Sequence, residues 1–210
     1  MSISVQSHRR FPLTRLLGDS GNLRVLRALL EYEAPQSSTQ LVRATGMTLP
    51  GVLKVLDNLV VQDAVQVLGS GRGRVFSATK NPQVSDLKIA FVHERAEWER
   101  FLRVLRTTFA KRRDVVAAWL YGSVARGDDK PDSDVDLAVL LKGESGADRV
   151  RDCLHEIERP LRAHFSVMAL TPKSLRTLDP ALWAAIERDG RTLKGPEPLR
   201  VRKLSLTDST

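Results

Sequence analysis

The stretch "LYGSVARGDDKPDSDVDLAVLL", residues 120–141, sets two carboxylates, Asp134 and Asp136, one residue apart in a run of Val, Leu and Ala that reads as a strand. Side chains i and i+2 of a strand share a face, so the two aspartates project together while Val135 and Leu137 turn the other way into a core. Adjacent carboxylates repel unless a cation lies between them. Hard oxygen ligands of this kind suit Mg²⁺, with Mn²⁺ as the alternative, held together with substrate phosphates and water. Ahead of the pair, Gly122 ends a second apolar strand and permits close backbone approach. Ser123 then offers a hydroxyl and an N–H at the start of a short helical turn, where phosphate oxygens are favourably bound. Arg126 lies one turn further on. Its guanidinium suits either a phosphate or a brace for the aspartates, and the sequence leaves both roles open.

Ten residues separate "GS" from "DVD". With "GSVARG", that spacing and "SDVDL", the segment resembles the signature of the minimal nucleotidyltransferases, relatives of the DNA polymerase beta and kanamycin nucleotidyltransferase superfamily. The resemblance covers residues 95–195 and implies an α/β (α+β) domain with a mixed sheet flanked by helices. It also implies Mg²⁺-dependent transfer of a nucleotidyl group from a nucleoside triphosphate, ATP first among them, with release of pyrophosphate. On that resemblance Asp134 and Asp136 are the catalytic and metal-binding residues, and Gly122, Ser123 and Arg126 seat the nucleotide. Some proteins with this motif are antitoxins that modify a partner toxin of the HEPN type, which makes a protein acceptor an expectation here.

Active members of that superfamily supply a third carboxylate from a later strand. Aligning "FSVMALTPKSL" with that strand puts Ser166 at the position, and a serine takes up no proton at neutral pH. Loss of a general base lowers a rate by roughly 10²–10⁴-fold, about 3–5 kcal/mol of barrier, while leaving metal and nucleotide binding possible. Glu156 and Glu158 on the preceding helix substitute only if packing turns one of them toward the site. Two readings therefore stand: a working transferase, and a nucleotide-binding domain kept for sensing or partner recognition.

Earlier in the chain, three helical segments are predicted at Asn22 to Glu33, Ser38 to Ala44 and Pro50 to Val61. Ser37 with Gln40 forms a capping box, Gly46 suits the following turn, and Thr48 caps a third helix with Pro50 in its first turn. Leu53, Leu56, Leu59 and Val60 mark that helix's expected buried face. In "AVQVLGSGRGRVFSAT" two β-prone runs flank a glycine-rich loop, the pattern of a hairpin. Residues 12–80 resemble the winged helix-turn-helix domains of bacterial and archaeal transcription regulators. The resemblance implies duplex DNA as partner, read by Thr48, Leu49, Gly51 and Lys54 of the recognition helix and by Arg72 and Arg74 of the wing.

The whole chain carries a net charge of +8 with a sequence pI near 10.1, and residues 1–84 hold ten Lys or Arg against five Asp or Glu. That excess favours polyanionic partners. Cys153 is the single cysteine; it has no partner for an internal disulfide and sits in a helical pattern, which points to a reducing compartment. "MSISVQSHRRFPL" has no apolar core behind its arginines and does not read as a secretory signal. No apolar run approaches the ~20 residues of a membrane span, so the expected location is the cytoplasm. His8, His93, His155 and His164 show no metal-ligand spacing.

The expected organisation is a winged helix at 1–84, a linker helix at 85–112, a nucleotidyltransferase domain at 113–195 and a flexible tail at 196–210. The linker helix, with Leu87, Phe91, Trp98, Leu102, Leu105 and Phe109 at helical spacing, is expected to act as a spacer or to pack against a second copy in a homodimer. After the aspartate strand the pattern predicts a helix from Ala147 to His164, the strand "FSVMALT", and two short helices opened by Pro172 and Pro180.

Overall fold

The structure is a computed structural model that describes residues 16–32 and 34–201. The opening stretch with His8, and residues 202–210 of the tail, lie outside the described residues. The chain divides into two compact units, Met1–Ala96 and Glu97–Thr210.

In the first unit, α1 (Ser20–Tyr32), α2 (Ser38–Thr45) and α3 (Leu49–Val61) precede a hairpin of β1 (Val65–Leu68) and β2 (Val75–Ala78). Local chemistry sets these ends. Ser37 Oγ accepts from Gln40 N at 3.3 Å and Gln40 Oε1 accepts from Ser37 N at 2.8 Å, closing the capping box. Gly46 takes the left-handed conformation at φ 67° and returns its N–H to Val42 O at 3.0 Å; a side chain there would be strained. Thr48 Oγ1 accepts from Gly51 N at 3.3 Å and starts α3.

The buried face of α3 is Val52, Val55, Leu56 and Leu59, which corrects the sequence expectation. Leu53 is half-buried and Val60 is exposed. Positions 52, 55, 56 and 59 follow the i, i+3, i+4, i+7 stripe of one helix face, and Val25, Leu26, Leu29 and Leu41 complete the core beneath it. Gln36 and Phe76 exchange both backbone hydrogen bonds at 2.8 Å, so the link between α1 and α2 adds a bridge to the hairpin's edge. Val84 and Leu87, in the first turns of α4 (Pro82–Ala110), close this core.

The second unit is built on a four-stranded mixed sheet in the order β5-β4-β3-β6. Its elements are β3 (Val115–Tyr121), α5 (Gly122–Arg126), β4 (Val135–Leu141), α6 (Ala147–Leu161), β5 (Phe165–Leu170), α7 (Ser174–Thr177), α8 (Pro180–Asp189) and β6 (Arg191–Lys194). β3 pairs antiparallel with β4 and β6, and β4 pairs parallel with β5. Both faces are covered, which explains why β4 reads as an almost unbroken apolar run. One face packs Val135, Leu137, Val139 and Leu141 with Leu102, Leu105 and Phe109 of α4 and with Val150 and Leu154 of α6. The other packs Ala138, Leu140, Trp119 and Leu170 with Trp183 and Ile186 of α8.

Four sequence expectations change here. Asp134 lies one residue ahead of β4 rather than on it. Helix α6 stops at Leu161, not His164, because Arg162 takes a left-handed backbone at φ 51°. Pro172 falls in the turn before α7 instead of in its first turn. The tail is held at its start: the Trp119 indole N–H donates to Pro196 O at 2.9 Å, and Val201 is buried against the α8 face of the sheet. Strand β6 was not foreseen. It pairs with β3, and Lys194 Nζ donates to the carbonyls of Phe109 (3.0 Å) and Arg112 (2.5 Å), a cation placed beside the C-terminal end of α4, where the helix dipole is negative. Among the described residues no helix is long and apolar enough to cross a membrane.

Candidate active site

The sheet register assembles the site. Tyr121, the last residue of β3, lies opposite Asp136 of β4, and Asp136 lies beside Ser166 of β5. Strand alternation sends Asp136 to the same side as Ala138 and Leu140, while Val135 and Leu137 are buried on the opposite face. The chain leaves β3 through Gly122 at φ 75°, and a Cβ built on that glycine would overlap Asp136 Oδ2. The Asp136 carboxylate is therefore packed directly over the Gly122 backbone. Ser123 follows, half-buried, and its carbonyl accepts the N–H groups of Gly127 (2.8 Å) and Asp128 (3.2 Å), closing the α5 turn.

The electrostatics are those of a crowded acid pair. Asp136 is pushed above the ordinary aspartate range, first by burial and further by the charge of Asp134; a hydrogen bond from the Ser166 hydroxyl and the charge of Arg126 oppose that rise. Burial and the Asp136 charge raise the Tyr121 phenol as well. The sign is informative. An aspartate raised in the folded state makes the free protein less stable as pH climbs past the ordinary carboxylate value, so this site holds a negative charge that the fold does not fully compensate. Asp134 is exposed at the mouth. A divalent cation suits the chemistry of these donors: Asp136 is a hard, partly desolvated carboxylate that feels the charge of Asp134, and it lies against a backbone position that a Cβ would fill. Among the described residues no group of three or more His, Cys, Asp or Glu is placed to hold a metal ion.

Arg126 is committed to carboxylates other than the pair. Its Nε donates to Asp128 Oδ2 at 3.2 Å, one Nη lies 3.1 Å from Asp128 Oδ1, and the other donates to Asp189 Oδ2 at 3.2 Å. Asp189, at the end of α8, also receives Arg188 Nε and Nη2 at 2.8 Å each. These guanidinium contacts hold its carboxyl down at about 2. Arg191 Nε donates to Ala125 O at 3.1 Å. Sequence reasoning missed Asp189 and Arg191, and no local signal marks them. Their partners lie 63 and 66 residues away along the chain.

Neither candidate substitute for the third carboxylate reaches the pair. Glu158 accepts from Phe165 N at 3.3 Å and pairs with His155 Nδ1 at 2.9 Å. Glu156 lines a separate hollow between α4 and α6 with Arg103, Lys111 and Cys153. His155 and His164 are exposed, and Glu158 is the acid both face.

In the first unit, Thr48 spends its hydroxyl on the α3 cap, whereas Leu49, Lys54 and Arg74 are exposed. Gly51 and Lys54 line an open hollow of about 480 Å³ with Arg24, Asp19 and Asn58. Arg72 lies in the hairpin's Gly71–Gly73 turn, and its side chain falls outside the described residues.

Residues 103–193 match the family model described as Polymerase beta, Nucleotidyltransferase, so the second unit carries a polymerase beta-like nucleotidyltransferase domain. No curated protein matches the chain. Solved structures with a likeness include a mutant of the toxin-antitoxin MntA-HpeT, at 15% identity and TM-score 0.39, over 51% of this chain and 82% of that one. A toxin-antitoxin with AMP-PNP matches at 18% identity and TM-score 0.37, over 54% and 81%. A third is a tri-AMPylated Shewanella oneidensis HEPN toxin in complex with MNT antitoxin, at 15% identity and TM-score 0.34, over 51% and 82%.

Proposed function

We propose that the second unit transfers a nucleotidyl group from a nucleoside triphosphate, ATP first among them, to an acceptor, and that the first unit binds duplex DNA. The observation that carries the transferase reading is the Asp136 carboxylate packed over Gly122, at the junction of two strands inside a domain of the matching family. Asp134 and Asp136 would hold Mg²⁺ or Mn²⁺, which would supply charge neutralisation for the triphosphate. Gly122 keeps the backbone open to the phosphates, and the Ser123 hydroxyl binds a phosphate oxygen. The acceptor's nucleophile attacks the α-phosphorus, pyrophosphate leaves, and the acceptor's proton passes to solvent. The resemblance of "GSVARG" and "SDVDL" to antitoxins that modify HEPN-type toxins makes such a protein the first acceptor to try.

With labelled ATP, Mg²⁺ and acceptor, pyrophosphate release is expected from the wild type and to fall by about 10³-fold or more in Asp134→Ala and Asp136→Ala. Release that survives both substitutions ends this reading. A second reading, nucleotide binding without turnover, is favoured by one observation: the β5 residue paired with Asp136 is Ser166 and not a carboxylate. Calorimetric ATP uptake with no pyrophosphate release would select it.

For the first unit, the support is an α3 that exposes Leu49 and Lys54 beside a basic glycine hairpin with Arg74 exposed. A gel shift with duplex DNA should weaken steeply with added salt, and changing Arg72 and Arg74 together to Ala should weaken it about tenfold at fixed salt. Absence of any shift at low salt removes DNA from the proposal.

A further inference from the structure

Asp189 does more than end a helix. Its side chain is only 7% exposed, yet it receives three guanidinium contacts from two arginines, Arg188 and Arg126. Arg126 in turn grips Asp128 through Nε and the other Nη, so one guanidinium ties the α8 end to the first residues after the Gly122–Arg126 turn. Gly127 and Asp128 return their N–H groups to Ser123 O, and Arg191, two residues past Asp189, holds Ala125 O. The turn that carries Gly122 and Ser123 is thus fastened at three points, two of them from the α8–β6 corner. Other uses of Asp189 fail on chemistry. Its oxygens already accept from the guanidinium groups of Arg126 and Arg188, which makes it a poor proton acceptor, so it is not the missing base. Both its oxygens already face guanidinium N–H groups, so it is not a metal ligand.

We infer that Asp189 is a positioning residue of the nucleotide site, acting through Arg126 to hold the Gly122–Arg126 turn, and the head of the loop leading to Asp134, in the register that sets Asp136 against Gly122. This rests on the nucleotidyl-transfer reading of that site. Two N–H groups of Arg126 donate to Asp128 and Asp189, and its remaining Nη lies 3.1 Å from Asp128 Oδ1, which selects the bracing role over that of a free phosphate ligand. The aspartates braced are Asp128 and Asp189 rather than the site pair.

The test is Asp189→Asn in the full chain. Without nucleotide, amide exchange at Gly127 and Asp128 is expected to quicken about tenfold; with Mg²⁺, the ATP Kd is expected to rise about tenfold, as for loss of one charge-assisted hydrogen bond. Far-UV circular dichroism should stay unchanged. The double variant with Arg126→Gln should bind no more weakly than Arg126→Gln alone, because both act on one contact, whereas a general packing role gives additive losses. Wild-type exchange and affinity in Asp189→Asn, or additive losses, overturn the inference. If Asp189→Asn does not fold, Arg126→Gln reads the same contact from its other end, and unaltered exchange at Gly127 and Asp128 there overturns it equally. If the wild type takes up no ATP, the transferase reading falls by itself, and the exchange measurement alone decides the clamp.

Discussion

Ser166→Asp is expected to raise the rate of nucleotidyl transfer by roughly 10²-fold or more, the lower part of the range that a positioned general base contributes. The register makes the argument. Ser166 is the β5 residue paired with Asp136 in the parallel register. A carboxylate at the same place therefore falls beside the pair with no change in backbone path, and an acceptor hydroxyl held against the nucleotide gains a base. The substitution has a cost in the absence of a cation. Asp136 is already raised by burial and by Asp134, and a third charge adds repulsion of about 1–3 kcal/mol. Thermal unfolding should show a lower Tm for Ser166→Asp in EDTA and recovery in Mg²⁺. A rate unchanged from wild type, with the variant folded in Mg²⁺, means that the barrier does not lie in deprotonating the acceptor. The binding-without-turnover reading then gains.

How far the site was legible depends on the range of the interactions that build it. Gly122, Ser123 and Asp136 stand within one strand-turn-strand unit, so local spacing was enough to bring Asp136 to the glycine turn, whereas the two-residue period put Asp134 on a strand that begins one residue later. Even Ser166, thirty residues beyond Asp136, was legible because apolar β5 runs alongside β4 in a regular parallel register. Asp189 and Arg191 were not, since an ion pair or a side chain to backbone bond carries no periodicity and nothing near either residue marks its partner. Strand β6 failed for a related reason: "RTLK" is short and half cationic, and it is a strand only because β3 offers it an edge. The start of the tail is ordered by one indole hydrogen bond and by Val201, contacts that composition does not reveal. In α3 the caps were legible from single residues, but the core face was misplaced because α3 holds leucines and valines on more than one side, and only packing against α1 and α2 chooses among them.

Gly122→Ala tests the geometry from its other side and is expected to cut transfer, or ATP binding where no transfer is seen, by at least about 10²-fold. Two independent effects act on one methyl group. At φ 75° an alanine is strained by about 1–2 kcal/mol, since an L side chain crowds its own carbonyl in the left-handed region. The added Cβ also meets Asp136 Oδ2 and comes within 3.0 Å of its Cγ, so the carboxylate must turn away. Relief of both moves the Asp136 carboxylate off the Gly122 backbone, where the proposed site would use it, and a misplacement of about 1 Å at a reacting centre costs on the order of 10²-fold. The remaining stability is large enough to survive this, because the strands on either side are buried through Trp119, Leu120, Leu137 and Ala138; circular dichroism should stay native while Tm falls by several degrees. The double variant Gly122→Ala with Asp136→Gly separates the two effects. It removes the clash and leaves the strain, so Tm should recover in part while activity stays lost. If Gly122→Ala alone retains wild-type ATP affinity and turnover, the close approach of Asp136 to the Gly122 backbone is not what the site uses, and the nucleotide must be seated elsewhere on the domain.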